Sequence, residues 1–353
     1  MRDRIKRAVG LIGKHGFDGL WVEPSQNFTY LFGFESLSLE RLCGVLVTAS
    51  GNLRAVVPLM HSEEFETLGD TEQFIWSDAD GPDEAAAACL KGIQRLLVEP
   101  TLPSWALFAV RSASGAEIEL DTRVLQTLRL TKGDGEIEQL RHAASVTDGV
   151  IEWIGSQIPG CRTEAELAGR IRVRYLELGY SEVIALVASG SNATLPHYLG
   201  GDVPIDPRRP LLVDIGARIG SYWSDTTRVF FPGIDSSVDE AYGAVLAAYE
   251  AAFAAAAPGA SCEAVDRAAR DVLEDAGYGD YFIHRTGHGL GLDVHEPPYL
   301  RAGNPASLDV GNVFTIEPGV YLPGRFGLRY ENTVYLGPDG PEALNKTPRM
   351  HTL

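Results

Sequence analysis

Four acidic side chains occur within or beside apolar, strand-like runs in the second half of this 353-residue chain. Asp214 follows the apolar residues 211–213, and Glu317 ends a similar run. An unpaired carboxylate is costly to bury, so acids in such runs indicate a shared partner. Carboxylates are preferred ligands of hard divalent ions such as Mn²⁺, and an imidazole widens the choice to Co, Fe or Zn. The candidate ligands of a divalent metal site are therefore Asp214, Asp225, His288, Glu317 and Glu331.

The spacing of Asp214 and Asp225 decides whether their carboxylates can meet. On one continuous strand an odd separation would place the two side chains on opposite faces. The run is interrupted at Ile219 and Gly220, which is typical of a hairpin, and across a hairpin the two acids can face the same side. On spacing alone, a pair of aspartates that only cap turns or accept hydrogen bonds remains open.

Three histidines lie in the stretch HRTGHGLGLDVHEPP (284–298), a composition that suits a metal site better than a packing face. Glycines alternate around His288, but no strand-to-helix context follows them, so they do not form a dinucleotide-binding fingerprint. Close approach of another backbone segment, or a positive φ angle, would explain them.

The five candidate ligands, in this order and in their local contexts, resemble the proline-specific metallopeptidases of the creatinase and prolidase superfamily. The contexts are SDTTR around Asp225, TGHGLGLDVHE around His288, IEPGVY around Glu317 and RYENT around Glu331. The resemblance extends to the N-terminal half through NFTYLFGF (27–34) and the domain order. It implies a pita-bread catalytic domain, a curved antiparallel sheet flanked by helices, behind a smaller creatinase-like α/β domain. It also implies a homodimer.

The same resemblance assigns the ligands to two divalent ions. It implies that Asp214 chelates one ion and that Asp225 and Glu331 bridge the two. His288 and Glu317 would complete the shell of the second ion. In dinuclear hydrolases, ions about 3.5 to 4 Å apart hold a water that becomes the bridging hydroxide nucleophile. Glu317 would accept the proton of that water, and Mn²⁺ or Co²⁺ is the expected metal, with Zn²⁺ the next choice.

Further residues resemble family groups that act on the substrate or its surroundings. His197, in LPHY, resembles the histidine that binds substrate or shuttles a proton near the scissile bond. His295, in VHE, resembles the histidine that contacts the scissile carbonyl and stabilises the oxyanion. Arg329 resembles an arginine that orients the carboxylates during catalysis. For His284 we expect a packing or supporting role.

The cation that binds the substrate carboxylate distinguishes two activities. A dipeptidase must neutralise the free carboxylate of proline, and several prolidases supply an arginine just after the HExP motif. Here Tyr299 occupies that position, with Arg301 two residues later. Arg41, next to Glu40 before a predicted strand, is the other candidate for binding substrate, in its own or the neighbouring subunit. A solvated arginine at the end of a strand is the simpler alternative.

We therefore predict hydrolysis of the Xaa-Pro bond in short peptides by an Xaa-Pro dipeptidase. An Xaa-Pro aminopeptidase that acts on longer peptides is the alternative. A metal-free creatinase-like hydrolase or a non-catalytic binding module on the same fold is a remote third choice, because such relatives lose ligands and this chain retains all five.

The elements that must position these residues predict an α+β protein of two domains. In residues 1–131, strand-like runs alternate with helical segments in the order of an α/β domain. The strands are expected at 18–22, on both sides of 50–52, at 74–76 and at 105–110, with a helix near 82–97. The pattern stops at TKGD, where a long amphipathic helix opens the catalytic domain, residues 132–353. Within that domain, helices near 239–256 and 263–276 separate the hairpin from the histidine stretch.

Composition limits the partners and the compartment. The net charge of −18 argues against nucleic acid or an anionic membrane as a partner, because both need clustered lysine and arginine. No run is long and apolar enough to predict a membrane span or a secretory signal. The four cysteines have no metal-binding or redox spacing, which is typical of reduced thiols in a cytoplasmic protein.

Overall fold

The computed structural model describes residues 2–37, 39–198, 200–231, 235–349 and 351–352. The chain divides into two compact units, Met1–Arg129 and Leu130–Leu353. The predicted domain boundary, after residue 131, lies two residues beyond this division. Among the described residues, no helix is both long enough and apolar enough to cross a membrane.

The N-terminal unit is built on a mixed six-stranded sheet with the order β4-β3-β2-β1-β5-β6. The central strand β1 pairs antiparallel with β2 and parallel with β5. Its residues are buried on both faces, which agrees with its apolar sequence. The strands are β1 (Gly19–Val22), β2 (Gly44–Thr48), β3 (Leu53–Pro58), β4 (Thr71–Trp76), β5 (Arg95–Val98) and β6 (Glu117–Leu120). The helices are α1 (Arg2–Lys14), α2 (Gln26–Phe32), α3 (Ser62–Phe65), α4 (Asp83–Cys89), α5 (Ser104–Ser114) and α6 (Leu125–Leu130).

Two predictions for this unit are wrong. The run 105–110, predicted as a strand, lies within helix α5, and the helix predicted near 82–97 ends at Cys89, so that 95–98 forms β5. Short apolar runs do not distinguish a buried strand from a buried helix. Ala106 and Val110 are buried four positions apart on one face of α5, and Gly92, with φ of 85°, separates α4 from β5.

A buried acid makes the stability of this unit sensitive to pH. Glu23 follows β1 and is only 2% exposed. Its backbone N–H donates to Glu99 Oε1 at 2.8 Å, and its own Oε1 accepts from Trp21 Nε1 at 3.3 Å. Burial is the main cause that raises the pKa of Glu23 from 4.5 to about 8, and the nearby Glu99 adds to it. The folded protein therefore holds a proton on Glu23 at neutral pH.

We expect the stability of Glu23→Gln to fall less than that of the parent as the pH is raised. Between pH 4.5 and 8 the unfolded chain has released the proton that the folded state retains. The free energy of unfolding therefore falls as pH rises, by up to about 1.4 kcal/mol per pH unit from this group. Melting temperatures measured from pH 5.5 to 8.5 should fall less steeply in the variant. The matched control is Glu84→Gln, at an exposed position of α4; parallel curves for all three proteins would contradict the prediction.

In its described residues, the C-terminal unit combines four α-helices with sheets that are antiparallel except for one parallel pair, which involves the last strand. The helices are α7 (Asp134–Gln157), α8 (Glu164–Glu177), α9 (Ser236–Ala255) and α10 (Cys262–Asp275). The strands of its first sheet are β7 (Val183–Ser189), β8 (Leu211–Ile219), β9 (Tyr222–Trp223), β10 (Thr226–Phe231) and β18 (His351–Thr352). The strands of its second sheet are β11 (Gly287–Gly289), β12 (Glu296–Leu300), β13 (Val313–Ile316), β16 (Asn332–Gly337) and β17 (Gly340–Ala343). A separate pair consists of β14 (Gly319–Leu322) and β15 (Phe326–Arg329).

Two apolar cores hold these elements in place. One lies between helices α7 and α8 and the strands β7, β8 and β10. The other joins α9 and α10 to β10 and to the strands β12 to β16. Strand β10 contributes to both cores, with Phe230 in the first and Val229 and Phe231 in the second. The hairpin that carries two of the predicted ligands is thus fixed from both sides.

Candidate metal centre and active site

The hairpin of β8 and β10 brings Asp214 and Asp225 to the same cavity. Asp214 lies in β8 opposite Thr227, and Asp225 immediately precedes β10. The chain reverses at Gly220, whose φ is 64°. Their odd separation in sequence is therefore compatible with convergence, because the two acids lie on opposite arms of a hairpin rather than on one strand.

Asp225, His288 and Glu331 form a buried cluster whose potential ligand atoms all lie within 4.8 Å of one another. His288 Nδ1 donates to the carbonyl of Gly289 at 3.0 Å, which leaves the lone pair of Nε2 facing the carboxylates. His288 Nε2 lies 3.7 Å from Asp225 Oδ2 and 3.4 Å from Glu317 Oε1. The imidazole is thus fixed in the tautomer and orientation that a metal ligand requires.

The glycines around His288 allow neighbouring strands to approach. A Cβ on Gly287 would lie 1.9 Å from the carbonyl oxygen of Thr315, and one on Gly289 would lie 2.2 Å from that of Pro297. Neither glycine has a positive φ. Of the two explanations left open by the sequence, close backbone approach is therefore the correct one, and it allows β11 to pair with both β12 and β13.

Burial and mutual repulsion dominate the electrostatics of the carboxylates. Burial raises the pKa of Asp225 and of Glu331 well above their usual values, and the neighbouring acids raise both further. Burial also raises the pKa of Glu317 to about 7, although Arg329 opposes that shift. Burial lowers the pKa of His288, so this ring is neutral and able to act as a ligand. Such a set of oxygen donors with one neutral imidazole fits a divalent cation, which would relieve the repulsion among the buried acids.

A hydrogen-bond network beside the cluster fixes the carboxylates. Arg329 donates to Asp214 Oδ2, to Thr227 Oγ1 at 3.0 Å and to the hydroxyl of Tyr321 at 2.8 Å. Thr227 in turn donates to Glu331 Oε2 at 2.6 Å. Arg329 thus contacts one acid directly and a second through Thr227. Sequence reasoning named Arg329 for this kind of role but did not single out Thr227 and Tyr321, although they lie within the motifs SDTTR and IEPGVY.

His284 is held at the edge of this network. Its Nδ1 donates to the carbonyl of Arg285 at 2.7 Å, and its Nε2 accepts from the hydroxyl of Tyr321 at 2.7 Å. Burial lowers the pKa of His284 to about 3, so the ring is neutral. Both ring nitrogens are occupied by protein partners, which is the arrangement expected of a supporting residue.

The cluster opens into a cavity of about 990 Å³ that lies within the C-terminal unit. All five predicted metal ligands line it, together with His197, His295 and Arg329. His197 and His295 are both exposed, and the ring centroid of His295 lies 4.1 Å from that of His288. The cavity therefore contains two solvent-accessible histidines in addition to the residues of the cluster.

Two predicted substrate-binding residues lie elsewhere. Tyr299 does not belong to the cavity lining; it pairs with His288 across β11 and β12. Arg41 lies in the N-terminal unit before β2. Its guanidinium donates to both carboxylate oxygens of Asp78, each at 2.9 Å, and to Glu40 at 2.6 Å. A substrate carboxylate would have to replace one of these partners.

A buried ion pair supports the strand that follows His295. Lys132 Nζ lies 2.8 Å from Glu296 Oε1, with side chains that are 2% and 6% exposed. Sequence reasoning treated Lys132 only as part of the domain boundary. A lysine and a glutamate 164 positions apart give no local pattern that could have predicted the contact.

Taken together, a buried cluster of carboxylates and imidazole, a cavity with further histidines and an α+β fold define a metal-dependent hydrolase. Comparison with known proteins identifies the family within this class. Residues 138–338 match metallopeptidase family M24, and residues 4–142 match the creatinase/prolidase N-terminal domain. The chain belongs to metallopeptidase family M24. This confirms the predicted family resemblance and the predicted fold of a creatinase-type N-terminal domain followed by a pita-bread domain.

The similarity to individual proteins extends over the full chain. A probable dipeptidase, PepE, from Mycobacterium tuberculosis is 36% identical over 98% of this chain and 94% of the relative. The crystal structure of a prolidase from Thermococcus sibiricus is 36% identical with a TM-score of 0.93, covering 100% of this chain and 99% of that one. The dipeptidase PepE from Mycobacterium ulcerans is 34% identical with a TM-score of 0.94, covering 100% and 98%.

Proposed function

We propose that this metallopeptidase is an Xaa-Pro dipeptidase that hydrolyses the peptide bond before proline in short peptides. The observation that supports the proposal most strongly is the buried cluster of Asp225, His288 and Glu331 beside exposed His197 and His295 in one cavity. The names of the similar proteins, dipeptidase and prolidase, favour the same activity.

Five residues would hold two divalent ions, with Mn²⁺ or Co²⁺ as the first choice and Zn²⁺ as the alternative. These ligands are Asp214, Asp225, His288, Glu317 and Glu331. When bound, such ions act as Lewis acids and lower the pKa of water to the neutral range. The carboxylates make the site anionic, which favours a hard divalent ion.

The remaining roles belong to side chains of this protein. Glu317 accepts the proton of the attacking water. His295 donates a hydrogen bond to the scissile carbonyl as negative charge develops on its oxygen. His197 lies at the scissile bond, where it contacts the substrate and passes a proton towards the leaving proline nitrogen. Arg329 holds Asp214 in place and, through Thr227, fixes Glu331.

The cellular context is part of the same proposal. We place the protein in the cytoplasm as a homodimer, with a domain boundary between residues 131 and 132. All four cysteines are free thiols in the structure, which is in keeping with a reducing compartment.

The central experiment measures hydrolysis of matched Xaa-Pro, Xaa-Ala and Xaa-Pro-Xaa peptides by protein loaded with Mn²⁺, Co²⁺ or Zn²⁺. We expect cleavage that requires metal and proline, with the Xaa-Pro dipeptide preferred. A preference for the tripeptide would identify an Xaa-Pro aminopeptidase instead. Protein that binds no divalent ion and is unaffected by a chelator would contradict the proposal as a whole.

Arg41→Ala tests whether Arg41 binds the substrate carboxylate: if it does, kcat/KM for Xaa-Pro dipeptides falls by roughly tenfold, since a charge-assisted hydrogen bond would be lost. Cleavage of an Xaa-Pro-Xaa tripeptide should change little, because the carboxylate then lies one residue further away. Equal losses on both peptides would show that Arg41 has no role in binding the carboxylate.

A further inference from the structure

Three arginines line the cavity among the residues that the structure describes, and they differ in how far their hydrogen-bonding capacity is used. Arg329 is occupied by Asp214, Thr227 and Tyr321. Arg172 is exposed and donates to the carbonyl of Ala185 at 3.0 Å. The third, Arg285, has a guanidinium with no hydrogen bond or ion pair within the described part of the chain. It is therefore the cavity arginine with the most donors available to a ligand.

The position of Arg285 is set by contacts that leave these donors free. Its guanidinium carbon lies 4.7 Å from the centre of the Tyr299 ring, in a cation–π contact. Tyr299 pairs with His288 across β11 and β12, so the ring that supports Arg285 lies on the strand next to a predicted ligand. The backbone carbonyl of Arg285 is fixed by His284 Nδ1 at 2.7 Å. A half-buried guanidinium held by its face presents its N–H edge to a partner.

The charge of Arg285 acts on the catalytic part of the cavity. Burial is the main cause that lowers the pKa of His295, and the positive charge of Arg285 is the second cause. Arg285 also opposes the rise in the pKa of Glu317. The positive charge is thus close to the proposed catalytic residues, and a bound anionic group would neutralise it.

We propose that Arg285 is the specificity-determining residue that binds the free C-terminal carboxylate of the dipeptide, and that Tyr299 is its positioning residue. This inference rests on the proposed Xaa-Pro dipeptidase function and names the group that selects its substrate. The sequence carries tyrosine where an arginine after the HExP motif would be expected. The structure supplies a cation from the neighbouring segment and uses the tyrosine to support it. Arginine suits this role because its planar fork matches both oxygens of a carboxylate.

The test compares Ala-Pro with its amide, Ala-Pro-NH₂, which differs only in lacking the carboxylate charge. We expect the parent enzyme to prefer Ala-Pro. In Arg285→Gln, kcat/KM for Ala-Pro should fall roughly 10- to 100-fold, mainly through KM, while that for the amide changes less than about twofold. Arg285→Lys, which keeps the charge but loses the fork, should recover part of the preference.

Arg172→Gln is the matched control, because it removes one positive charge from the lining of the same cavity. It should leave the ratio of Ala-Pro to Ala-Pro-NH₂ cleavage unchanged. Equal losses of both substrates in Arg285→Gln would overturn the proposal, as would a collapse of the ratio in Arg172→Gln. A parent enzyme that does not distinguish the two substrates would overturn it as well.

Tyr299 is tested by substitutions that keep or remove the ring. Tyr299→Phe retains the cation–π contact and should behave as the parent, whereas Tyr299→Ala should raise KM for Ala-Pro and leave that for Ala-Pro-NH₂ unchanged. A rise in both KM values would indicate a merely structural role.

Calorimetric binding of L-proline and L-prolinamide provides a readout without turnover. The parent should bind proline more tightly than prolinamide, and Arg285→Gln should bind the two equally. Equal binding of the two ligands by the parent would overturn the proposal.

If the parent cleaves no Xaa-Pro peptide with any metal, the proposed function fails, but these binding data still decide the role of Arg285. If Arg285→Gln still prefers Ala-Pro and proline over their amides, and Arg41→Ala does not, then Arg41 rather than Arg285 recognises the carboxylate.

Discussion

Asp225→Asn is expected to abolish stoichiometric metal binding and to lower kcat by about 10³-fold or more, because metal ions contribute several kcal/mol to transition-state stabilisation. Asp225 has a ligand atom within 4.8 Å of those of His288 and Glu331. Asparagine retains the size of the side chain but removes the negative charge that would attract the cation. Metal analysis of the purified variant and steady-state assays with Ala-Pro measure the two effects.

The same variant should be more stable than the parent when both are free of metal. Burial and the neighbouring acids raise the pKa of Asp225, which means that its ionised form is unfavourable in the folded state. Asparagine avoids the cost of burying this ionisable acid, whereas added Mn²⁺ should raise the melting temperature of the parent but not that of Asp225→Asn. Asp239→Asn, at an exposed position in α9, is the matched control and should behave as the parent. An Asp225→Asn protein that retains the parent's metal content would exclude this residue as a ligand.

Apolar periodicity predicted most elements that surround this site, because the burial of one face determines both the spacing of apolar residues and the packing of the helix or strand. The residues before Asp214 form β8, the turn at Gly220 separates the arms of the hairpin, and the long helix after TKGD is α7. The run 105–110 shows where this reasoning fails. Its apolar content fits a strand or a helix equally well, and only the packing of Ala106 and Val110 against neighbouring elements decides between them.

The candidate ligands could be named from the sequence because a carboxylate in an apolar strand needs an explanation, and the family contexts supplied one. Of the groups that support them, only Arg329 was named. Thr227 lies in the motif SDTTR, but its partner Glu331 is 104 positions away, and the sequence does not show that the two side chains meet. Arg285 was passed over for a different reason. Its importance depends on the ring of Tyr299 beneath it and on the hydrogen bonds that its guanidinium does not make within the described residues.

His295→Ala is expected to lower kcat by about 10²- to 10³-fold, the usual effect of removing one donor that stabilises an oxyanion. The metal content should not change, because His295 is not among the proposed ligands. KM should change little, since the lost hydrogen bond strengthens only as charge develops on the carbonyl oxygen. Steady-state kinetics with Ala-Pro, together with metal analysis, measure all three quantities.

The position of His295 explains why this variant can separate catalysis from metal binding. Its ring is 4.1 Å from that of the proposed ligand His288, yet it is exposed to the cavity, and the strand that follows it is held independently by the buried pair of Lys132 and Glu296. Truncation should therefore remove a donor without disturbing the carboxylates. His142→Ala, at an exposed position of α7, is the control for loss of a histidine. A fall in metal content, or a higher KM with unchanged kcat, would instead assign His295 to the metal shell or to ground-state binding of the substrate.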